Sequence, residues 1–284
     1  MSAKLSMAVS MLIFGTISIF ARYINLASSG LAFYRAFIAV MGLCIYKLIK
    51  RERWFAGITK KTALLLLLSG AAIGFNWVML FEAYNYTSVA TATLCYYFAP
   101  VIVIALCPII FKEKVTVWQA ICFIMSTAGL VLITLVGKQT DYDIRGILFG
   151  LGAALLYALV MMLNKSIQGI TGIDRTLIQF ICACAVLLPY AFFTNGLSLK
   201  NVGFTGIGAL LILGIVYTCI TYVLYLNSIS KLEGRVTALL GYIDPLCAVA
   251  VSVCVFNERL LPLSALGGIM ILGFTLLSDI KKIK

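Results

Sequence analysis

Apolar residues along this chain are grouped in blocks of about twenty, separated by short polar segments. About twenty apolar residues are what a helix needs to cross the hydrocarbon layer of a bilayer. The pattern therefore predicts an all-α integral membrane protein with ten transmembrane helices. The predicted spans cover residues 5–24, 30–49, 62–84, 88–111, 115–136, 146–167, 175–194, 203–230, 236–256 and 262–280.

One stretch of the chain, residues 94–125, occurs twice at an offset of 145 positions. Pro100 and Glu113 are thirteen residues apart, and Pro245 and Glu258 repeat that pair. Apolar segments match one another easily, but a proline and a carboxylate that recur at one offset indicate an internal duplication. The predicted halves are residues 1–137 and 146–284, with five helices each, and a linker at residues 138–145 joins them.

An odd number of spans in each half turns the second copy upside down in the membrane. The predicted fold is therefore two inverted five-helix repeats, related by a pseudo-two-fold axis in the membrane plane. This architecture is typical of secondary transporters, whose substrate site lies near the midplane between the repeats and is reached by alternating access. The alternative is that the duplication only makes a stable helical bundle.

The basic residues predict the orientation of the bundle. With the N-terminus in the cytoplasm, sixteen Lys and Arg residues fall in cytoplasmic segments and five in external ones. Cytoplasmic loops carry an excess of Lys and Arg, so we expect a multi-pass protein of the cell (cytoplasmic) membrane with both termini in the cytoplasm. The first apolar block is as long as the others and no small-residue cleavage site follows it, which favours a permanent span over a signal peptide.

Composition excludes several classes of function. Only 11% of the residues are charged and 63% are hydrophobic, whereas soluble domains carry about 25% charged residues. Histidine is absent, which removes His-based proton relays, His metal sites and Ser-His catalysis. None of the nine cysteines is in a CxxC motif, so they are interpreted as packing residues.

These absences argue against an intramembrane enzyme, and no metal or cofactor is expected. No Walker-type glycine loop is present, so transport would depend on a gradient rather than on nucleotide hydrolysis. The net charge is +12, but the basic residues lie mainly in short loops between apolar blocks. Because such residues orient a membrane protein, no nucleic-acid partner is expected. The expected partners are the lipid bilayer and a small-molecule substrate, and the protein would be a monomer or a homodimer. A receptor or scaffold is the third class considered, but the chain has no large extramembrane segment for binding a partner.

The repeated stretch also resembles a known family. The run from Ala83-Tyr84 through Pro100 to Glu113, and the run from Ser228 through Asp244-Pro245 to Glu258, are similar to the EamA-type repeat of the drug/metabolite transporter superfamily. The resemblance implies ten spans and a transporter of amino acids, other small metabolites or toxic compounds, often acting outward. The first half has Ala99 before its proline where the second half has Asp244, so the substrate site should be asymmetric.

Asp244 is the principal candidate for substrate binding and for proton coupling. It lies about ten residues into the ninth predicted span, where an ionised group is costly and is usually functional. Thr237, Gly241 and Asp244 are spaced to share one helix face. A cation, an amine or a proton could bind there; alternatively, the carboxylate pairs with Arg35 or accepts local hydroxyl groups.

Arg35 and Glu82 are charged positions at similar predicted depth. Arg35 could receive a substrate carboxylate, pair with Glu82 as an external gate, or reach the lipid headgroups by snorkelling. Further polar and aromatic positions could line the cavity and suit an amphipathic or aromatic-bearing solute through stacking or cation–π contacts. These candidate substrate-binding residues are Trp77, Tyr96, Tyr97, Gln179, Thr218 and Tyr222.

Four repeated residues are interpreted as structural. Pro100 and Pro245 should bend their helices, because proline cannot donate a backbone hydrogen bond. Glu113 and Glu258 each end a helix and precede a basic residue, which favours a helix cap or an inter-helix ion pair. The sequence thus predicts a secondary permease for a small metabolite, most simply an amino acid or related zwitterion. Export is one direction in which it could act. The alternative is an efflux carrier for cationic or lipophilic toxic compounds.

Overall fold

A computed structural model describes residues 2–51, 58–111, 116–137, 143–167, 169–229, 231–232, 236 and 240–282. In these ranges every regular element is a helix. The helices are α1 (Ala3–Gly15), α2 (Ile17–Ala21), α3 (Ser28–Lys50), α4 (Lys60–Tyr86), α5 (Val89–Tyr96), α6 (Ala99–Phe111), α7 (Val117–Gly137), α8 (Ile144–Ser166), α9 (Gly172–Phe193), α10 (Phe204–Ile212), a π-helical segment (Leu213–Ile220), α11 (Thr221–Ile229), α12 (Ile243–Cys254) and α13 (Pro262–Lys282).

Seven helical stretches are long and apolar enough to cross a membrane. Three further apolar helices are shorter, and the ten segments fall at the ten predicted spans. The seven are Ala3–Ala21, Ser28–Lys50, Lys60–Tyr86, Val89–Leu106, Ile144–Ser166, Gly172–Phe193 and Phe204–Ser228; the shorter three are Val117–Ile133, Ile243–Cys254 and Pro262–Leu277.

Four predicted spans are not continuous α-helices. The first is interrupted at Thr16, whose hydroxyl donates to the carbonyl of Ile13 (2.8 Å). The fourth is interrupted between α5 and α6, just before Pro100, whose nitrogen lacks the hydrogen that a continuous helix would use. The eighth contains the π-helical segment, and single π turns often occur at functional sites. The ninth is interrupted at Tyr242, just before α12.

The sixth span begins slightly before its predicted position. Helix α8 begins at Ile144, two residues before the predicted start at Gly146. The cause is Asp143, whose side chain accepts the backbone N–H of Arg145 (2.9 Å) and so caps the helix. Residues 138–142 of the linker lie outside the described ranges.

The bundle places its helices in a limited set of contacts. Helix α4 packs along α8 and α9, α3 packs along α9 and the π-helical segment, and α7 pairs with α13. Helix α5 lies between α8 and α12, and α1 lies between α11 and α12. The halves are therefore interleaved, and each contributes helices to the centre.

Glycines permit the closest of these crossings. A Cβ atom on Gly129 would lie 2.6 Å from the carbonyl oxygen of Gly267, and one on Gly267 would lie 2.4 Å from that of Gly129. At Gly15 a Cβ would lie 2.6 Å from the carbonyl oxygen of Asp244. Small residues allow helix backbones to approach closely in membranes, and Gly15 thereby lets the first span pack directly against the backbone of α12 at Asp244.

Candidate functional site

The two prolines of the repeat stand at the start of helices that begin inside the bundle. Pro100 is the second residue of α6, and Pro245 is the third residue of α12. These are first-turn positions, where proline's fixed φ suits the helix and its missing N–H costs little. Transporter sites are often formed by such discontinuous helices, and here the breaks adjoin Tyr97 in one half and Asp244 in the other.

Asp244 and Tyr97 bind each other across these two breaks. The Tyr97 hydroxyl donates to the Asp244 carboxylate at 2.5 Å, which joins α12 to the turn between α5 and α6. Both side chains are half-buried. The hydroxyl that binds Asp244 thus comes from 147 positions away in the chain, and Thr237 lies outside the described residues.

Aromatic rings from four spans surround this carboxylate. Tyr96 stacks on Tyr157 of α8 with ring centroids 5.2 Å apart. Phe14 of α1 packs edge-on against Tyr222 (5.3 Å) and Tyr225 (6.1 Å) of α11. All five rings are half-buried, and the four tyrosines interact electrostatically with Asp244. The sequence analysis had not selected Phe14 or Tyr157 as site residues, because aromatic residues in a span are usually packing residues.

Arg35 is buried and does not snorkel to the lipid surface. Only 4% of the residue is exposed, and its Nε donates to the Thr218 hydroxyl at 2.7 Å. Its guanidinium carbon lies 4.2 Å from the centre of the Trp77 ring and 5.8 Å from that of Phe81. Among the described residues, no carboxylate lies within ion-pair distance of Arg35.

The structure does not bring Arg35 and Glu82 together. The Glu82 carboxylate instead accepts the Ser28 hydroxyl at 2.5 Å and the Asn85 side-chain amide at 3.3 Å. This cluster lies where α4 ends and α3 begins. In this conformation the predicted Arg35–Glu82 pair is not formed, and the external gate stays a prediction.

Gln179 is buried in a neutral polar cluster. Its side-chain nitrogen donates to the Ser69 hydroxyl and to the Asn164 side-chain oxygen, both at 2.7 Å. It is 3% exposed, and its donors are fully used. In this conformation Gln179 fastens α9 to α4 and α8.

Glu258 joins three spans at one end of the bundle. It forms an ion pair with Arg22 after α2, accepts the backbone N–H of Val89 at 2.9 Å, and also binds Ser252. Val89 is the first residue of α5, so the carboxylate lies at a helix N-terminus as well as in an ion pair. Its predicted counterpart, Glu113, lies outside the described residues.

One buried ion pair was not anticipated by the sequence analysis. Lys47 pairs with Asp174, and their side chains are 0% and 4% exposed. Lys47 is one of the sixteen basic residues that the orientation prediction places in cytoplasmic segments. The signal that could have indicated the pair is a basic residue inside an apolar span, but its partner is 127 positions away.

A family model and individual proteins match this chain as well. The model of the EamA-like transporter family matches residues 1–135 and 144–278. The chain belongs to the EamA-like transporter family. It is a multi-pass membrane transporter, as the sequence resemblance predicted, with the lipid bilayer and a small-molecule substrate as its partners.

Relatives of this EamA-like transporter cover nearly its whole length. The uncharacterized transporter YxxF of Bacillus subtilis is 28% identical over 99% of this chain and 90% of its own. An uncharacterized transporter of Archaeoglobus fulgidus is 28% identical over 96% of this chain and 94% of its own. A solved crystal structure is similar with a TM-score of 0.65, at 17% identity, over 98% of this chain and 97% of that one; this likeness concerns the fold.

Proposed function

We propose that this EamA-like transporter is a secondary permease that moves a small zwitterion, most simply an amino acid, across the cell membrane by alternating access. The observation that carries the proposal is the buried guanidinium of Arg35, which has no carboxylate partner among the described residues. Ionised groups inside a membrane are costly and usually mark a substrate pathway. A substrate carboxylate would supply the missing partner.

Asp244 would bind the opposite end of the same solute. Tyr222 interacts electrostatically with both Arg35 and Asp244, and so does Tyr84. The two charges therefore face a common region of the bundle, with aromatic rings around it. The substrate ammonium group would take the Asp244 carboxylate, beside the faces of Tyr96 and Tyr157, where cation–π attraction adds to the charge pair.

The pattern of helix contacts supports two inverted five-helix repeats. Three pairs join a span to its predicted equivalent: α3 with α9, α5 with α12, and α7 with α13. The remaining main contacts occur as equivalent pairs: α4 with α8 corresponds to α11 with α1, and α5 with α8 corresponds to α12 with α1. An inverted duplication related by a two-fold axis produces this set of contacts, and its halves can rock around one central site.

The distribution of basic residues supports the placement of both termini in the cytoplasm. A reversible carrier of this kind would transport its solute in either direction, down the solute's gradient or the gradient of a coupled ion. Coupling to protons would use Asp244 or Glu82, because the chain contains no histidine. At Asp244 the carboxylate would bind the substrate ammonium group and a proton alternately, releasing one as it takes up the other in each cycle. We propose domains 1–137 and 146–284 as the two moving halves.

Counterflow in proteoliposomes tests the proposed function. Vesicles that contain the protein are loaded with each L-amino acid, with its decarboxylated amine, or with tetraphenylphosphonium, and exchange of the labelled solute is followed. At least one amino acid should exchange at least about tenfold faster than its amine, since a charged hydrogen bond contributes about 1.5–3 kcal/mol. Protein-free vesicles are the control.

The second candidate function is efflux of lipophilic cations. The position of the Asp244 carboxylate among tyrosine and phenylalanine rings favours this function. Exchange of tetraphenylphosphonium, with no amino acid exchanged above the protein-free level, would replace the first proposal by the second.

A further inference from the structure

We propose that Thr218 is a positioning residue: it holds the Arg35 guanidinium in the orientation that receives a carboxylate and thereby sets the preference for carboxylate-bearing solutes. This inference rests on the proposed function, in which Arg35 binds the carboxyl group of the substrate. Thr218 is itself 0% exposed, so in this conformation it acts on a solute through Arg35 and not by direct contact.

The π-helical segment fixes the direction of the Thr218 hydroxyl. The Thr218 hydroxyl donates its single hydrogen to the carbonyl oxygen of Leu213, five residues earlier, at 2.8 Å. In an α-helix, threonine hydroxyls bind the carbonyl three or four residues back. With its hydrogen committed, the hydroxyl presents a lone pair, and Arg35 Nε donates to it at 2.7 Å.

Trp77 restrains the guanidinium from a second direction. The Arg35 guanidinium carbon lies 4.2 Å from the centre of this ring, which favours stacking of the planar cation on the aromatic face. The hydrogen bond at Nε and the stacked face together leave the terminal nitrogens as the edge that can bind. That edge carries the paired N–H donors that match the two oxygens of a carboxylate.

Thr221 provides a matched control in the following turn. Its hydroxyl also binds a carbonyl five residues back, that of Val216, at 2.7 Å, and it is equally buried at 0% exposed. It differs from Thr218 in having no hydrogen bond to Arg35. Thr221→Val therefore reports what the loss of a buried hydroxyl in this helix does by itself.

The transport experiment compares Thr218→Val, Thr218→Ser and Thr221→Val in proteoliposomes, with the amino acid and the amine identified by counterflow. Thr218→Val should raise the KM for the amino acid about tenfold and leave the KM for the amine within about twofold, because a hydrogen bond to a charged group is lost. Thr218→Ser keeps the hydroxyl and should restore the preference. Equal effects on both solutes, or equal effects of Thr218→Val and Thr221→Val, would contradict the positioning role.

A double-mutant cycle tests whether Thr218 acts through Arg35. In the Arg35→Gln background, Thr218→Val should change the KM by less than about twofold. An undiminished tenfold effect in that background would mean that Thr218 acts independently. If Arg35→Gln leaves the amino-acid preference of the otherwise native protein intact, the proposed function fails rather than the positioning role.

Tryptophan fluorescence gives a readout that needs no substrate. With Trp54 and Trp118 replaced by Phe, the remaining emission comes from Trp77, whose ring stacks on the Arg35 cation. Thr218→Val should shift this emission, Thr218→Ser and Thr221→Val should not, and Arg35→Gln should abolish the effect of Thr218→Val. Unchanged Trp77 emission in Thr218→Val would overturn the inference.

Discussion

Arg35 on α3 donates a hydrogen bond to Thr218 on the π-helical segment, and Gln179 on α9 donates one to Ser69 on α4. In the proposed inverted repeat these are equivalent crossings, from the second span to the eighth and from the seventh to the third. Around Gln179 the donors are satisfied by Ser69 and Asn164. Around Arg35 a positive charge is left without a carboxylate among the described residues.

The difference shows how a duplicated scaffold can hold an asymmetric site. A neutral amide whose donors are all used connects helices and needs nothing more. A buried cation with unused donors remains costly until a partner arrives. The same contrast separates Ala99 from Asp244 at the two prolines. At each of these two pairs of positions, one copy has a charged residue and the other has a neutral one.

The largest expected effect comes from removing the acidic side of that asymmetry. Asp244→Asn keeps an acceptor for the Tyr97 hydroxyl but loses the negative charge. Transport of any amine-bearing solute should fall about a hundredfold or more, since loss of one partner from a buried charge pair costs about 3 kcal/mol. Counterflow measures this loss, and Asp143→Asn, at the exposed start of α8, is the control. Unchanged transport with unchanged pH dependence would exclude Asp244 from binding and coupling.

A smaller effect, on stability rather than on transport, is expected from the neutral crossing. Gln179→Leu removes the donor to Ser69 and Asn164 at nearly constant volume. The melting temperature in detergent should fall, corresponding to about 0.5–2 kcal/mol for inter-helix hydrogen bonds in a membrane protein. Transport per folded molecule should stay within about twofold. A selective loss of transport at unchanged stability would instead give Gln179 a direct role in binding.

The smallest expected effect concerns the hydrogen bond between the two broken spans. Tyr97→Phe keeps the ring beside Tyr96 (5.7 Å) and removes the hydroxyl that binds Asp244. Transport should change about threefold, because inter-helix hydrogen bonds in membranes average about 0.6 kcal/mol. Kinetic measurement beside Asp244→Asn ranks the two residues. A loss as large as that of Asp244→Asn would show that the hydroxyl is as necessary as the carboxylate.

Most of the fold can be predicted from local features of the sequence. Apolar blocks located the ten helical segments, and the prolines indicated where the fourth and ninth spans are interrupted. The turn after α4 ends with Ser88, whose side chain caps α5 by accepting the N–H of Thr91 (3.1 Å). Such features involve residues close in the chain, so their chemistry can be interpreted without knowing which helices are neighbours.

The site was only partly predictable, because its partners are distant in sequence. Asp244 and Arg35 were identifiable as charges inside apolar spans. The hydroxyls that bind them are 147 and 183 positions away, so the sequence could select Thr218 as a candidate but could not indicate that it binds Arg35. The structure does not show the predicted Arg35–Glu82 pair for the same reason: a similar depth in the membrane does not fix which way a side chain points.

The sequence by itself determined the class of protein, the helical segments, the duplication and the positions where charge enters the membrane. These follow from hydrophobic transfer and backbone hydrogen bonding, which act on each segment separately. The tertiary structure decided that Lys47 pairs with Asp174, that a π-helical segment aims Thr218 at Arg35, and that Tyr97 binds Asp244. Each of these depends on the rotation and crossing of packed helices, which arise from close packing of the whole bundle rather than from any one segment.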